Sequence, residues 1–371
     1  MEQPTRFVGM DVHKDTIVVA VTTTGEVGKA TLYGTIPNTT SALEKLVKRL
    51  RKASTGLLKF CYEAGPCGYG VYRTLTRLGE DCLVAAPSMI PRRSGDRQKN
   101  DKRDAADLAV LHRGGLLTSV WVPDAAHEAM RDLVRARLAA VRAVRAARQQ
   151  LSAFLLRHER LYTAGRKPRT RTHRHWLADQ RFERPAQQIV LEECIEGVRW
   201  AEQHRDRMDA HLRTELPSWS LFSLVQRLCA LRGFDVIAAA GAVAAMGDPT
   251  RFINARDFMA YLGLLPSEHS SGQRRRLGAI TKTGDVRART VLIEAAWSYR
   301  FPARIARGKL PAIEAAPEAV RQIAWKAQTR LCQRYRKMIA KGKPKPLAVT
   351  AVARELAGFV WAVAQLPGDV V

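Results

Sequence analysis

The tightest constraint on the fold lies in the first 120 residues, where three short apolar or β-branched runs follow one another before any helical pattern begins. Arg6 to Asp11, Thr16 to Thr23 and Lys29 to Gly34 are separated by turn signals and read as antiparallel strands. Leu43, Leu46, Val47 and Leu50 then recur at helical spacing behind the cap candidates Thr39 to Ser41. A buried-type strand from Leu57 to Glu63, a turn at Gly65-Pro66, a helix from Gly70 to Leu78 and a strand from Asp81 to Ala86 complete the pattern. The order is β-β-β-α-β-α-β-α.

Three strands followed by strand–helix alternation is the order that an RNase H-like mixed sheet requires. The texture changes at His127. Met130, Val134, Leu138, Val141, Val144, Leu151, Phe154 and Leu155 follow mostly three- and four-residue steps, with a gap around Ala147. Leu191, Cys194, Val198, Ala201, Arg205, Met208 and Leu212 do the same without a gap, so the two segments are expected to pair as an antiparallel coiled coil. Beyond Pro217 the pattern is mostly helical, with a polar loop from Pro266 to Arg276. The expected division is 1–122 for the mixed α/β sheet, 123–217 for the coiled coil and 218–371 for a helical domain.

Charge narrows the partner. Lysine and arginine number 61 against 35 acidic residues, a formal net charge of +26, which suits nucleic acid or an anionic membrane surface. The longest apolar stretch expected, Val236 to Met246, is Ala/Gly-rich and short of the ~18 residues of a membrane span. Glu2, Arg6, Asp11 and His13 interrupt any signal segment, so a cytoplasmic protein without a membrane partner is expected. Cys61, Cys67, Cys82, Cys194, Cys229 and Cys332 form no CxxC pair, which argues against a zinc ribbon or a disulfide framework.

Four carboxylates stand where chemistry could gather. Asp11 ends the first strand and Glu63 ends the fourth; parallel neighbours in such a sheet bring those ends together. Asp101 and Asp104 lie three apart near the start of a helix running to Gly114-Gly115, hence on one face. Converging carboxylates repel unless cations neutralise them, and hard oxygen ligands suit Mg²⁺, two ions per site, with Mn²⁺ as a substitute. Taken singly, each has a plain structural reading: a turn residue, or a favourable charge in a first helical turn. Asp15 and Asp107 are neighbouring acids without that placement.

A second cluster is the run Glu268-His269-Ser270-Ser271-Gly272-Gln273-Arg274-Arg275-Arg276, with Thr281-Lys282-Thr283-Gly284 after it. A serine beside glycine admits a phosphate closely, and arginines can hold its oxygens in pairs; from spacing alone an ordinary turn is the plainer reading. Basic residues also collect in the connection from Arg160 to Arg174 (Arg166, Lys167, Arg169, Arg171) and at Lys341, Lys343 and Lys345, where nucleic-acid backbone would be held.

Together, Gly9-Met10-Asp11-Val12-His13-Lys14, Tyr62-Glu63-Ala64-Gly65, Lys99-Asn100-Asp101-Lys102-Arg103-Asp104-Ala105 and Leu262-Gly263-Leu264 with Ser270-Ser271-Gly272 and Ile280-Thr281-Lys282-Thr283-Gly284 resemble the DEDD transposases of the IS110 type. The resemblance extends to Phe154-Leu155-Leu156-Arg157-His158 and Ala324-Trp325-Lys326-Ala327. It implies a RuvC-like N-terminal domain whose acidic set falls on Asp11, Glu63, Asp101 and Asp104, binding Mg²⁺. It also implies a C-terminal domain with a nucleophilic serine, by the motif Ser271 rather than Ser270, that forms a phosphoserine link to DNA. The partners implied are donor and target DNA, a bridge RNA, and further copies of the chain, from dimer to tetramer. Where relatives carry a Pro-Gly-Ile-Gly-type hairpin, this chain reads Leu231-Arg232-Gly233-Phe234-Asp235. Two competing readings remain at this level: a Holliday-junction or structure-selective nuclease using water, and a non-catalytic nucleic-acid-binding protein.

Overall fold

A computed structural model describes residues 4–26, 28, 30–53, 56–91, 100–163, 170–271 and 276–367. The chain divides into two compact units, Met1–Val122 and Pro123–Val371.

In the first unit the strands are β1 (Arg6–Val12), β2 (Thr16–Thr23), β3 (Thr31–Pro37), β4 (Leu58–Glu63) and β5 (Asp81–Ala85), with helices α1 (Thr40–Lys52), α2 (Gly70–Arg77) and α3 (Asp101–Arg113). The sheet order is β3-β2-β1-β4-β5. β1, β2 and β3 pair antiparallel, while β4 joins β1, and β5 joins β4, in parallel. This is the mixed RNase H-like sheet that the element order required. The third strand is displaced from its expected bounds of Lys29 to Gly34, because a register shift between Val19 and Ala20 carries the pairing on to Pro37.

Side chains alternate across a strand, and the two faces of this sheet differ in size. Val8 and Met10 of β1, Phe60 and Tyr62 of β4, and Ile17 and Val19 of β2 project to one face, where Leu43, Leu46 and Leu50 of α1 and Leu75 of α2 cover them. On the other face lie Gly9, Ala20, Cys61 and Ala85, against Ala105, Leu108 and Ala109 of α3. Small residues there let α3 lie almost backbone to backbone on β1. A Cβ placed on Gly9 would sit 2.2 Å from the Ala105 carbonyl oxygen and 2.5 Å from the Ala109 nitrogen.

The second unit opens with α4 (Ala125–Arg157), α5 (Arg171–Ala178) and α6 (Pro185–Glu215). α4 and α6 pack along their lengths. Leu151, Phe154 and Leu155 meet Leu191 at one end of the pair. Charge bridges the middle: Arg148 pairs with Glu202, and Arg137 Nε lies 2.7 Å from Asp209. The expected gap in the apolar seam around Ala147 is therefore occupied by an ion pair. At the other end Met130, Val134 and Leu212 join one core with the helices that follow.

Those helices are α7 (Phe222–Leu228), α8 (Val236–Met246), α9 (Ala255–Tyr261), α10 (Val286–Ala296), α11 (Leu310–Glu314), α12 (Glu318–Ala340) and α13 (Lys345–Ala364). Two findings correct the sequence reading. The polar loop from Pro266 to Arg276 is not isolated among helices but opens from an antiparallel hairpin, β6 (Pro266–Glu268) with β7 (Leu277–Ile280). The longest apolar helix is α13, which by length and composition alone could cross a membrane, rather than Val236–Met246. Arg354 and Glu355 break its apolar run in the sequence. In the fold Glu355 faces Arg330 and Arg334 of α12, while Ala348, Val352, Leu356 and Val360 are wholly buried in the helical core.

Candidate active site

In the first unit, alternation and register set the carboxylates. Asp11 is two residues beyond Gly9 and so shares the α3 face of β1. The parallel register between β1 and β4 ends at Met10 with Tyr62, so Asp11 and Glu63 are each the first residue beyond that paired stretch of their strands. Asn100 caps α3 by accepting from the Lys102 N–H, which brings Asp101 and Asp104 into the first turn, where the helix dipole favours negative charge.

His13 Nε2 lies 3.2 Å from Asp11 Oδ2 and 3.3 Å from Asp101 Oδ2. One ligand atom from each of Asp11, His13 and Asp101 falls within 4.8 Å of the others, a group able to hold a divalent metal ion. Among the described residues Asp11 Oδ2 and His13 Nε2 are shielded from solvent and lack an aligned hydrogen bond, so their 3.2 Å approach is an electrostatic contact. Burial pushes the Asp11 carboxyl above its ordinary range; His13 pulls it down, and the charges of Asp101 and Asp104 push it up again. A shielded carboxylate oxygen lacking a hydrogen bond, with acids of like charge around it, fits a cation.

Not every candidate joins this group. Asp104 acts on Asp11 electrostatically without being among the three close ligands. Glu63 is exposed at the end of β4 and makes no ion pair among the described residues. Asp107 is engaged by Arg103 at 3.8 Å, one turn away on α3. Sequence reasoning passed over His13; the available signal was its position two residues after Asp11.

In the second unit, two glycine contacts and one arginine shape the base of the β6–β7 hairpin. Gly263 and Gly284 both have positive φ, 64° and 69°. A Cβ on Gly263 would lie 2.3 Å from the Thr283 carbonyl oxygen, and one on Gly284 would lie 2.1 Å from that of Tyr261. The Arg289 guanidinium, only 7% exposed, donates to the carbonyls of Leu262, Thr283 and Gly284. Lys282 is held at φ 59°, in the left-handed region, and is exposed.

Further along the hairpin the two serines differ. Ser270 Oγ donates to Glu268 Oε1 at 2.8 Å and accepts from the Arg276 N–H at 3.2 Å, while the His269 N–H donates to the Arg276 carbonyl. Ser270 therefore clips the neck of the loop. Ser271 is exposed and its hydroxyl makes no hydrogen bond among the described residues. Of the basic candidates, Arg171, Arg276, Lys282, Lys341, Lys343 and Lys345 are exposed; Arg166, Lys167, Arg169, Arg274 and Arg275 lie outside the described residues, as does Gly272. Asp235, which stands at the second-glycine position of the hairpin motif, caps α8 by accepting from the Ala238 N–H.

Comparison with known proteins adds the family. Residues 8–159 match the family model of the DEDD transposases of IS110 elements, described as a transposase, and residues 225–307 match the model described as transposase IS116/IS110/IS902 family. A Sinorhizobium fredii protein, y4qE, named as a transposase, is 47% identical over 359 residues, 97% of this chain and 88% of the relative. The transposase for insertion sequence element IS1533 of Leptospira borgpetersenii is 31% identical over 340 residues, 91% of this chain and 97% of the relative. Both the carboxylate-bearing unit and the serine-bearing hairpin fall inside the matched segments, and the chain belongs to the IS110 family of transposases, proteins of insertion sequences.

Proposed function

We propose that this transposase cuts and rejoins DNA through a covalent link to Ser271, assisted by Mg²⁺ held at Asp11, Asp101 and the neighbouring Asp104 and Glu63, with His13 as an additional ligand. The observation that carries the metal half is the shielded Asp11 Oδ2 facing His13 and Asp101 without an aligned hydrogen bond. When bound, a divalent ion there, in one or two copies, draws electron density from a phosphodiester and steadies the leaving oxygen. Mn²⁺ would serve as well, since imidazole and carboxylate both suit it.

The serine half rests on the contrast between Ser270 and Ser271. The Ser270 hydroxyl is committed to Glu268 and to the Arg276 N–H, whereas that of Ser271 is open. Attack by Ser271 Oγ forms an Oγ–P bond as one P–O bond to deoxyribose breaks. Attack by a second strand's hydroxyl reverses the exchange, so phosphodiester energy is conserved. Arg276, with Arg274 and Arg275, and Lys282 supply positive charge for the backbone.

A bridge RNA that selects donor and target DNA, a dimeric to tetrameric assembly, and a cytoplasmic, nucleoid-associated setting complete the reading. The net charge of +26 and the exposed Lys341, Lys343 and Lys345, which form no ion pair among the described residues, support polyanion binding. That binding should weaken steeply with salt as counterions are released. The decisive experiment compares Ser271→Ala with Ser270→Ala. The first should abolish both strand exchange and the protein–DNA adduct, and the second should reduce them. Cleavage by Ser271→Ala without an adduct would mean that water attacks, as in a structure-selective nuclease. Sequencing the RNA that co-purifies with the protein tests the guide, and absence of any structured RNA would point to a protein-only recombinase.

A further inference from the structure

A cavity of about 170 Å³ in the helical unit is lined by Arg232, Arg304, Lys309 and Gln328 together with Phe301, Ile305 and other apolar side chains. It lies among groups that neither the carboxylate cluster nor the serine hairpin uses. At that volume it holds about five or six waters at roughly 30 Å³ each, well below the roughly 300 Å³ and more of sites for drug-sized ligands. One flat ring is the natural scale of its contents.

Three observations describe its chemistry. Gln328 of α12 is 6% exposed, yet its amide makes no hydrogen bond among the described residues. Its amide atoms are not sealed from solvent, and the residue lines the cavity, so the amide is free to pair with what enters it. The charged side chains lining the cavity are all cationic. Lys309 spends its three ammonium protons on the carbonyls of Cys229, Leu231 and Phe234, and Arg232 is anchored to the Pro302 carbonyl at 2.9 Å. Arg304 is exposed and has no partner among the described residues. Finally, Phe301 is half exposed and carries the Arg300 guanidinium 4.6 Å from its ring centroid.

We infer that this cavity receives one unstacked base of the nucleic acid the enzyme handles, with Gln328 reading the base edge and Arg304 taking the adjoining phosphate. An amide offers a donor and an acceptor side by side, which matches adenine best. Apolar walls and an aromatic ring favour a base face, and a fixed guanidinium favours phosphate oxygens. The inference rests on the reading of this chain as one that binds nucleic acid, and deepens it with a base-recognition site.

The test uses the full chain and a short oligoadenylate with 2-aminopurine placed directly beside its central adenine, whose unstacking the reporter senses, made as DNA and as RNA. Wild-type protein should raise the 2-aminopurine fluorescence as the base leaves its neighbours, and whichever strand responds identifies the source. Arg304→Ala and Gln328→Leu should remove the rise and weaken binding of that oligonucleotide about tenfold, in line with loss of one base contact. Gln328→Leu should at the same time melt no lower than wild type, because it replaces an unpaired amide by an apolar group; a purely structural glutamine would show the opposite. Oligonucleotide binding, followed by anisotropy, that both substitutions leave unchanged would overturn the inference while leaving the nucleic-acid reading intact. Inorganic phosphate that binds as well as AMP or dAMP would reduce the cavity to an anion site and overturn it too. No oligonucleotide binding at all would instead remove the nucleic-acid reading beneath it.

Discussion

The carboxylate cluster and the serine hairpin hold their polar groups by different means. The carboxylates sit on regular elements, within two residues of the Gly9 contact on β1 and at the first turn of α3, and their spacing follows from how closely two backbones approach. The serines sit beyond the base of a short hairpin, where Gly263, Gly284 and the Arg289 guanidinium clasp one stretch of main chain to another. Close steric approach suits ligands that must meet a metal ion at fixed distances. A clasp at the base leaves the Ser271 hydroxyl exposed, which is the access that the nucleophilic role proposed for it calls for.

Substitutions can break this contrast in order of expected size. Arg289→Met should be the most damaging. It leaves the buried carbonyl of Leu262 without its donor and removes the partly buried bonds to Thr283 and Gly284, a loss of about 2–3 kcal/mol in urea denaturation. Gly9→Ala should cost about 1–3 kcal/mol as α3 is pushed away, and should lower Mn²⁺ affinity measured by calorimetry. If Gly9→Ala binds Mn²⁺ like wild type, the spacing argument fails.

Asp11→Asn tests electrostatics rather than packing. The Asp11 carboxyl is raised in the fold, so its ionisation is penalised as pH climbs from the unfolded value of 3.8 through the higher folded one, and the penalty is complete above it. Metal-free Asp11→Asn should therefore melt slightly above wild type at neutral pH, yet lose the rise in melting temperature that Mg²⁺ brings to wild type. That rise should itself fade as wild type is taken down in pH through the Asp11 titration.

The smallest effect concerns Lys282. A left-handed conformation at a residue with a Cβ costs about 1 kcal/mol, so Lys282→Gly should stabilise the protein by about that amount while reducing the salt dependence of DNA binding by roughly one unit of slope. Stabilisation with unchanged DNA affinity would show that the strain serves no contact with the backbone.

Much of the first unit was legible because its signals are local. β-branched runs, cap residues and a Gly-Pro turn mark elements within a few residues, and the strand order then places the ends of β1 and β4 side by side. The β6–β7 hairpin was not legible: its strands are only three and four residues long, too short for an alternating pattern, and only their pairing with each other makes them strands. α13 was hidden by Arg354 and Glu355, since a charge that finds Arg330 and Arg334 across a helix pair looks in the sequence like an interruption. The role of His13 depends on α3 arriving from ninety residues away to set Asp101 beside it. Gln328 and Lys309 likewise acquire meaning only from what surrounds them.

The sequence by itself determined the mixed sheet, the long paired helices, the basic balance and the family, because periodicity, turn chemistry and ordered motifs act over short stretches of chain. The tertiary structure alone decided which acids converge with His13, that Ser270 is tied down while Ser271, among the described residues, makes no hydrogen bond, and that the Gln328 amide, likewise without a partner among them, lies among cations. These are matters of distance and desolvation, and both arise when segments remote in the chain remove water from one another.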